Sequence, residues 1–147
     1  MLSLAPDALR TITAHAERDY PREACGVLLG RLEGDVRVAM AARAAGNLNT
    51  ERAHDRYDMD PKDRLAAEAE GRARGEAVVG FYHSHPDHDA YFSATDLARS
   101  EEAQWGEPWV PPAYAYLVVS VRGGRLVARK AFLVVEGASV EVPVQDA

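Results

Sequence analysis

Residues 77–83, AVVGFYH, constrain this chain more than any other run. The run is uncharged apart from a neutral histidine, rich in β-branched and aromatic side chains, and closely bounded by Gly75 and Pro86. It is too short for a buried helix and reads as a strand covered on both faces. Such a strand needs neighbours on a sheet and helices layered over it. The rest of the chain supplies both. Residues 24–29 (ACGVLL) and 114–121 (YAYLVVSV) read as further buried strands. Leu9, Ile12, Thr13 and Ala16 recur at helical spacing behind Pro6 and Asp7, which suit a first turn.

The remaining segments fit between these. A turn at 32–35 leads to a strand at 36–42, and GNLNT (46–50) forms a loop. A short strand at 56–60 ends at Pro61, which opens a helix over 62–74 with Leu65, Ala66 and Ala69 as its apolar face. A polar loop (86–92), a helix (94–104) and a Trp- and Pro-rich loop (105–112) follow the AVVGFYH strand. Arg122-Gly123-Gly124-Arg125 signals a hairpin whose return strand is 126–135, and a last strand is expected at 139–144. No repeat or linker interrupts the pattern. The reading is one mixed α/β domain over residues 1–147, a sheet flanked by two or three helices.

At 147 residues the chain can bury roughly 68–70% of its unfolded surface, enough for a shaped site. Its net charge of −6 opposes general binding to nucleic acid or an anionic membrane. The longest strongly apolar run is too short to span a bilayer, and the first ten residues lack signal-peptide character, so a cytoplasmic location is expected. Cys25 is the single cysteine, has no internal disulfide partner, and is expected to pack in its strand.

Chemistry concentrates around residues 83–96. His83 and His85 flank Ser84 at the end of the apolar strand, and alternate strand residues point the same way, so both imidazoles can converge on one ion. Zinc accepts such nitrogens and, in catalytic sites, takes three protein ligands plus water. Asp96 suits the third position, with Ser93 three residues before it. Ser93-Ala94-Thr95-Asp96 is equally a helix-capping box, and capping would fix the helix start that presents Asp96. The combination His-x-His-x7-Ser-x2-Asp arises by chance in a chain of this composition with probability ~1 in 2000. Glu23, just before the first buried strand, is a candidate base for a metal-activated water, or else a solvated turn residue.

Glu23, His83-Ser84-His85-Pro86 and Ser93-x-x-Asp96 together resemble the full motif of the JAMM (MPN-plus, JAB domain) zinc metallopeptidases. The resemblance runs from about Pro21 to Val121. It implies a curved sheet between helices, of cytidine deaminase-like architecture. It also implies one zinc per chain on His83, His85 and Asp96, with Glu23 activating water and Ser93 stabilising the tetrahedral intermediate. Members with the complete motif cleave bonds following the C-terminal Gly-Gly of ubiquitin-like proteins. The short chain is similar to compact prokaryotic members acting on ubiquitin-like sulfur carriers, which release cysteine, a short extension or a conjugated lysine. Phe92 departs from the family, where proline often precedes the serine, and is expected to loosen the loop.

Two other functions use the same residues. A metal-free scaffold of this fold would bind partners without catalysis, and two His with one Asp also match a non-haem iron triad. Neither gives Glu23 and Ser93 work to do together. His88, Asp87 and Asp89 read as a polar loop beside the site, and His15 and His54 as surface residues. Trp105 and Trp109 read as loop anchors or groove walls, and Arg122, Arg125, Arg129 and Lys130 as a solvated basic hairpin.

Overall fold

The computed structural model describes residues 1–98 and 114–147. The end of the helix expected at 94–104, and Trp105 and Trp109, lie outside them; residues 94–98 are helical. The elements are β1 (Leu2–Leu4), α1 (Pro6–Asp19), β2 (Cys25–Glu33), β3 (Val36–Ala45), α2 (Pro61–Ala73), β4 (Ala77–Pro86), β5 (Ala115–Arg122), β6 (Arg125–Val135), β7 (Ala138–Val142) and β8 (Val144–Asp146). Among the described residues all eight strands share one sheet, ordered β7-β6-β5-β4-β2-β3-β1-β8. The AVVGFYH run is central as expected, with β2 antiparallel on one side and β5 parallel on the other.

Alternation along the central strands sorts two cores. Leu28, Tyr82, Leu117 and Val119 pack with Ala8, Ile12 and Ala16 of α1. Val27, Leu29, Phe81 and Tyr116 point the other way and pack with Ala67 of α2. The sheet is strongly curved. Its edge strands β7 and β8 are separated in sequence by Pro143 alone, so the two edges approach within roughly 7 Å, two Cα steps. Register shifts at Leu28–Gly30 and Ser120/Val121 add local bends. The concave side holds α1, and Leu2, Leu4, Val121, Ala131, Val142 and Val144 from successive strands close around it.

Several expectations are corrected. β1 went unforeseen: three residues carry too little periodicity to register, although Leu2 and Leu4 are fully buried between β3 and β8. The strand expected at 139–144 is two, because Pro143 lacks a ladder donor and the chain changes edges there. Residues 56–60 form no strand; only Met59 bridges to Asn47. Helix α2 does not bury Leu65, Ala66 and Ala69. Leu65 is 64% exposed, and the helix packs through Ala67 and Gly71. Close approach explains this, since a Cβ at Gly71 would lie 3.1 Å from both Leu29 Cδ2 and the Glu76 carbonyl oxygen. Arg64 lies over the Phe81 ring at 4.9 Å, and Arg43 forks onto Glu70 at 2.6 and 2.7 Å.

His15 is buried, not a surface residue. Its Nδ1 lies 2.7 Å from the Tyr82 hydroxyl and its Nε2 3.0 Å from Asp19 Oδ2. Burial lowers its pKa below 6.5 against the pull of Asp19, so the fold favours neutral His15. The unfolded chain then binds more protons, and the stability from this group is present above pH 6.5 and is lost as pH falls through the lower folded value. Thermal melts at pH 7.5 and 5 should therefore show a smaller acid loss in His15→Gln than in wild type. Equal losses would refute the assignment. His54 is exposed, as read from sequence.

Gly80 marks a tight backbone approach. A Cβ there would stand 2.1 Å from the Ala115 carbonyl oxygen, its partner in the parallel β4–β5 pair. Gly80→Ala is expected to cost about 3 kcal/mol or more in denaturant unfolding, because backbone and not a flexible side chain must move. A cost under about 1 kcal/mol would show that the strands separate easily. No described helix is long and apolar enough to cross a membrane.

Candidate active site

His83 and His85 stand on the α2 side of β4, two and four residues beyond Phe81 and on the same alternation. Their Nε2 atoms are 3.3 Å apart. The chain turns at Asp87, which has a positive φ of 58°, and returns so that the Asp89 carbonyl accepts from His85 Nδ1 at 2.9 Å. That bond fixes the tautomer and leaves the His85 Nε2 lone pair facing its neighbours. Asp96 arrives from the helical segment 94–98. The capping box is real: Ser93 Oγ accepts from the Asp96 amide at 3.0 Å, and Asp96 Oδ2 accepts from the Ser93 amide at 2.9 Å. The same Oδ2 lies 3.1 Å from both His83 Nε2 and His85 Nε2.

Those three atoms form a nearly equilateral triangle of buried donors. Four-coordinate zinc at ~2.0–2.1 Å from each ligand sets them roughly 3.3 Å apart, so spacing and donor type both fit a zinc ion. Glu23, also buried, stands behind the triangle; it, His83 and His85 offer donor atoms all within 4.8 Å of one another. Cys25 pairs with His83 in the β2–β4 ladder, which brings the entry to β2, and hence Glu23, beside the histidines. Ser84, between them, accepts from the Ala24 amide through Oγ and donates its amide to the Ala24 carbonyl.

Asn47 completes the clamp. Its Nδ2 donates to the carbonyls of Glu23 and Arg56, each at 3.1 Å, while its Oδ1 accepts from the amides of Asn49 and Asp58, each at 3.0 Å. All four bonding positions of the amide are filled. The GNLNT stretch thus joins the loop carrying Arg56 to Glu23.

The electrostatics separate the two carboxyl groups. Burial raises Glu23 to about 8, with Asp96 adding to the rise and His85 and Arg56 opposing it. Asp96 is also pushed upward by burial, but His83, His85 and the Ser93 amide outweigh that and hold it well below the ordinary carboxylate range. Burial favours neutral His85, yet Asp96 and the Asp89 carbonyl raise its pKa above 6.5. One carboxyl is therefore a firm anion and the other can carry a proton near neutrality, the division acid–base chemistry requires. Cys25 packs as expected, its thiol pushed up to about 12 by burial.

A cleft of about 470 Å3 opens over this group, lined by Glu23, Asp55, Arg56, His85, His88 and Tyr91 with the Ser93–Asp96 turn. Asp55, Arg56, Tyr57 and Tyr91 are site residues the sequence reading missed. Tyr57 stacks on His83 at 4.8 Å and 25°, and Tyr91 meets His85 edge-on at 4.9 Å. Their one signal was aromatic residues close to the motif or to the 56–60 run. His88 lines the cleft, whereas Asp87 accepts from Tyr20 and the Gly123 amide, and Asp89 from Arg122. Phe92 does not loosen the loop: it stacks on Phe132 at 5.5 Å and tilts against Tyr116 at 5.4 Å. In the basic hairpin, Arg129 pairs with Asp146 and Lys130 lies 3.9 Å from Glu141.

Comparison with known proteins identifies the family. Residues 5–131 match the family of prokaryotic homologs of the JAB domain. The chain is 39% identical over 126 residues to Desampylase of Haloferax volcanii, covering 83% of this chain and 82% of that protein. It is 34% identical over 144 residues to the CysO-cysteine peptidase of Mycobacterium tuberculosis, covering 98% and 90%. A solution structure of a protein from Desulfitobacterium hafniense superposes with a TM-score of 0.80 at 29% identity, covering 100% of this chain and 93% of that one. With the family matched over most of its length and the curved sheet shared, the chain belongs to the prokaryotic JAB-domain family.

Proposed function

We propose that this protein is a zinc-dependent hydrolase that cuts the bond after the C-terminal Gly-Gly of a small ubiquitin-like sulfur carrier. The observation that carries the reading is the triangle of His83, His85 and Asp96 donors at 3.1–3.3 Å with buried Glu23 beside it. The names of the relatives, a desampylase and a CysO-cysteine peptidase, point to small protein substrates of this kind.

His83, His85 and Asp96 would hold the ion, which when bound acidifies water and polarises a carbonyl. Glu23 takes the proton of the attacking water as the water oxygen bonds to the scissile carbonyl carbon. The carbon–nitrogen bond then breaks, and Glu23 returns that proton to the leaving nitrogen. Burial raises the Glu23 pKa, so its carboxylate is a better proton acceptor than an exposed one and, once protonated, still a donor to an amine nitrogen. Ser93 Oγ is already accepting from the Asp96 amide, which leaves its own hydrogen to donate to the developing oxyanion. Tyr91, half exposed at the mouth, gives an apolar surface against which a glycine tail can lie.

Cleavage of a Gly-Gly-ending carrier fused to a short extension tests the reading. Zinc-loaded protein should cleave it, and a chelator should stop the reaction with recovery on adding zinc back. Cleavage that survives complete metal removal would overturn the proposal.

A further inference from the structure

We propose that Arg56 binds the free α-carboxylate of a one-residue extension, so that the preferred leaving group is a single amino acid rather than a longer peptide or a lysine side chain. The inference rests on the Gly-Gly hydrolase reading and narrows it.

In that reading Glu23 protonates the leaving nitrogen. When the extension is one residue long, its carboxylate carbon is only two bonds from that nitrogen. A new anion is thereby placed next to Glu23 and Asp96, both buried, and needs a counter-charge. Among the described residues lining the cleft, Arg56 is the sole lysine or arginine.

Arg56 is also placed and poised for an anion. Asn47 ties the Arg56 carbonyl to that of Glu23, so the two residues keep a fixed relation. Nη1 donates to the Asp55 carbonyl at 2.7 Å, and the side chain remains 34% exposed. The neighbouring Asp55 carboxylate shares this charge only in part, because Arg52 holds it more closely. It takes two bonds from Arg52, at 2.5 and 3.1 Å, and stands 3.8 Å from Arg56. A guanidinium has five donors in a planar fork suited to a carboxylate, and one of them is firmly used here. A lysine leaving group or an internal peptide bond brings no carboxylate to this place.

The test uses two carriers identical up to Gly-Gly plus one residue, one ending in the free acid and the other in the carboxamide. Zinc-loaded wild type should favour the acid by about tenfold or more in kcat/KM, the size of one desolvated ion pair. Arg56→Gln should bring that ratio to near one, and Arg56→Lys, which keeps charge without the fork, should retain part of it. Calorimetry on zinc-loaded Glu23→Gln, which holds the uncut carriers, should give the same ratio in Kd. Adding Arg56→Gln should abolish it. Equal cleavage of acid and amide by wild type would overturn this proposal alone. So would a fall in both by the same factor in Arg56→Gln, which would mean Arg56 meets the body of the carrier or supports the fold. Cleavage of neither carrier by zinc-loaded wild type, with no binding to Glu23→Gln, would overturn the hydrolase reading and this proposal with it.

Discussion

Glu23→Gln should lower kcat by about 10²–10⁴ while the protein still binds one equivalent of zinc. The substitution keeps the shape of the side chain and removes its basicity. The proposed ligand set leaves Glu23 free for the water: Asp96 Oδ2 lies 3.1 Å from both imidazoles, whereas Glu23 joins His83 and His85 only in a wider group, within 4.8 Å. The same variant has a second signature in metal-stripped protein. Burial holds Glu23 at about 8 against an ordinary 4.5. A raised folded pKa means that its contribution is fully present below pH 4.5 and is lost as pH rises through 8. Glutamine carries no such loss, so at pH 9 the metal-free variant should be more stable than wild type by about 2–4 kcal/mol, converging below pH 4.5. Denaturant titrations at pH 9 and 4.5 check this. Turnover equal to wild type would remove Glu23 as the base, and a pH-independent difference would remove the account of its environment.

The second large effect is on the metal. Asp96→Asn and His85→Ala should each weaken zinc binding by more than about 100-fold, beyond what loss of an outer partner costs. Asparagine keeps a side-chain oxygen that can accept from the Ser93 amide, so Asp96→Asn removes the charge while sparing the helix start. For wild type, zinc at about 1,000 times its Kd adds about 4 kcal/mol of stability, a rise in Tm of roughly 10 °C that chelation reverses. Acid should release the ion, since His85 must be neutral to bind and its pKa in the metal-free site lies above 6.5. Zinc measured by elemental analysis after dialysis across pH 5–8 reads this directly. Undiminished binding by Asp96→Asn would break the proposed ligand set.

The motif was legible because its spacing is local. A strand period of two aligns His83 with His85, and a capping box fixes Asp96 relative to Ser93, so both pairs can be read without knowing the fold. Glu23 is different: its place beside the histidines depends on the β2–β4 register, which no local spacing carries, and the resemblance alone favoured a base over a solvated turn residue. Asn47, Arg56 and Tyr57 escaped for the same reason in stronger form. They sit in a connection without periodicity, and their roles arise from contacts with Glu23 and His83 across the sheet. His15 looked like a surface residue because a lone histidine on a helix carries no sign of the tyrosine waiting for it on β4. The curl of the sheet was implied by the family, but the split of the last strand at Pro143 was not legible, because that residue's meaning depends on both edges being near. On α2 the apolar residues were plain and the packing was not, because close approach selects small side chains over large ones.

The central claim is that this site hydrolyses the bond following Gly-Gly, and intact mass spectrometry of the reacted carrier tests it most directly. A carrier extended by one residue past its Gly-Gly is incubated with zinc-loaded wild type and, in parallel, with zinc-loaded Glu23→Gln. The account predicts a product lighter by that extension alone, ending at the second glycine, in the wild-type reaction only. A carrier that keeps its full mass although one zinc is bound per chain, or that is cut at another bond, would contradict it.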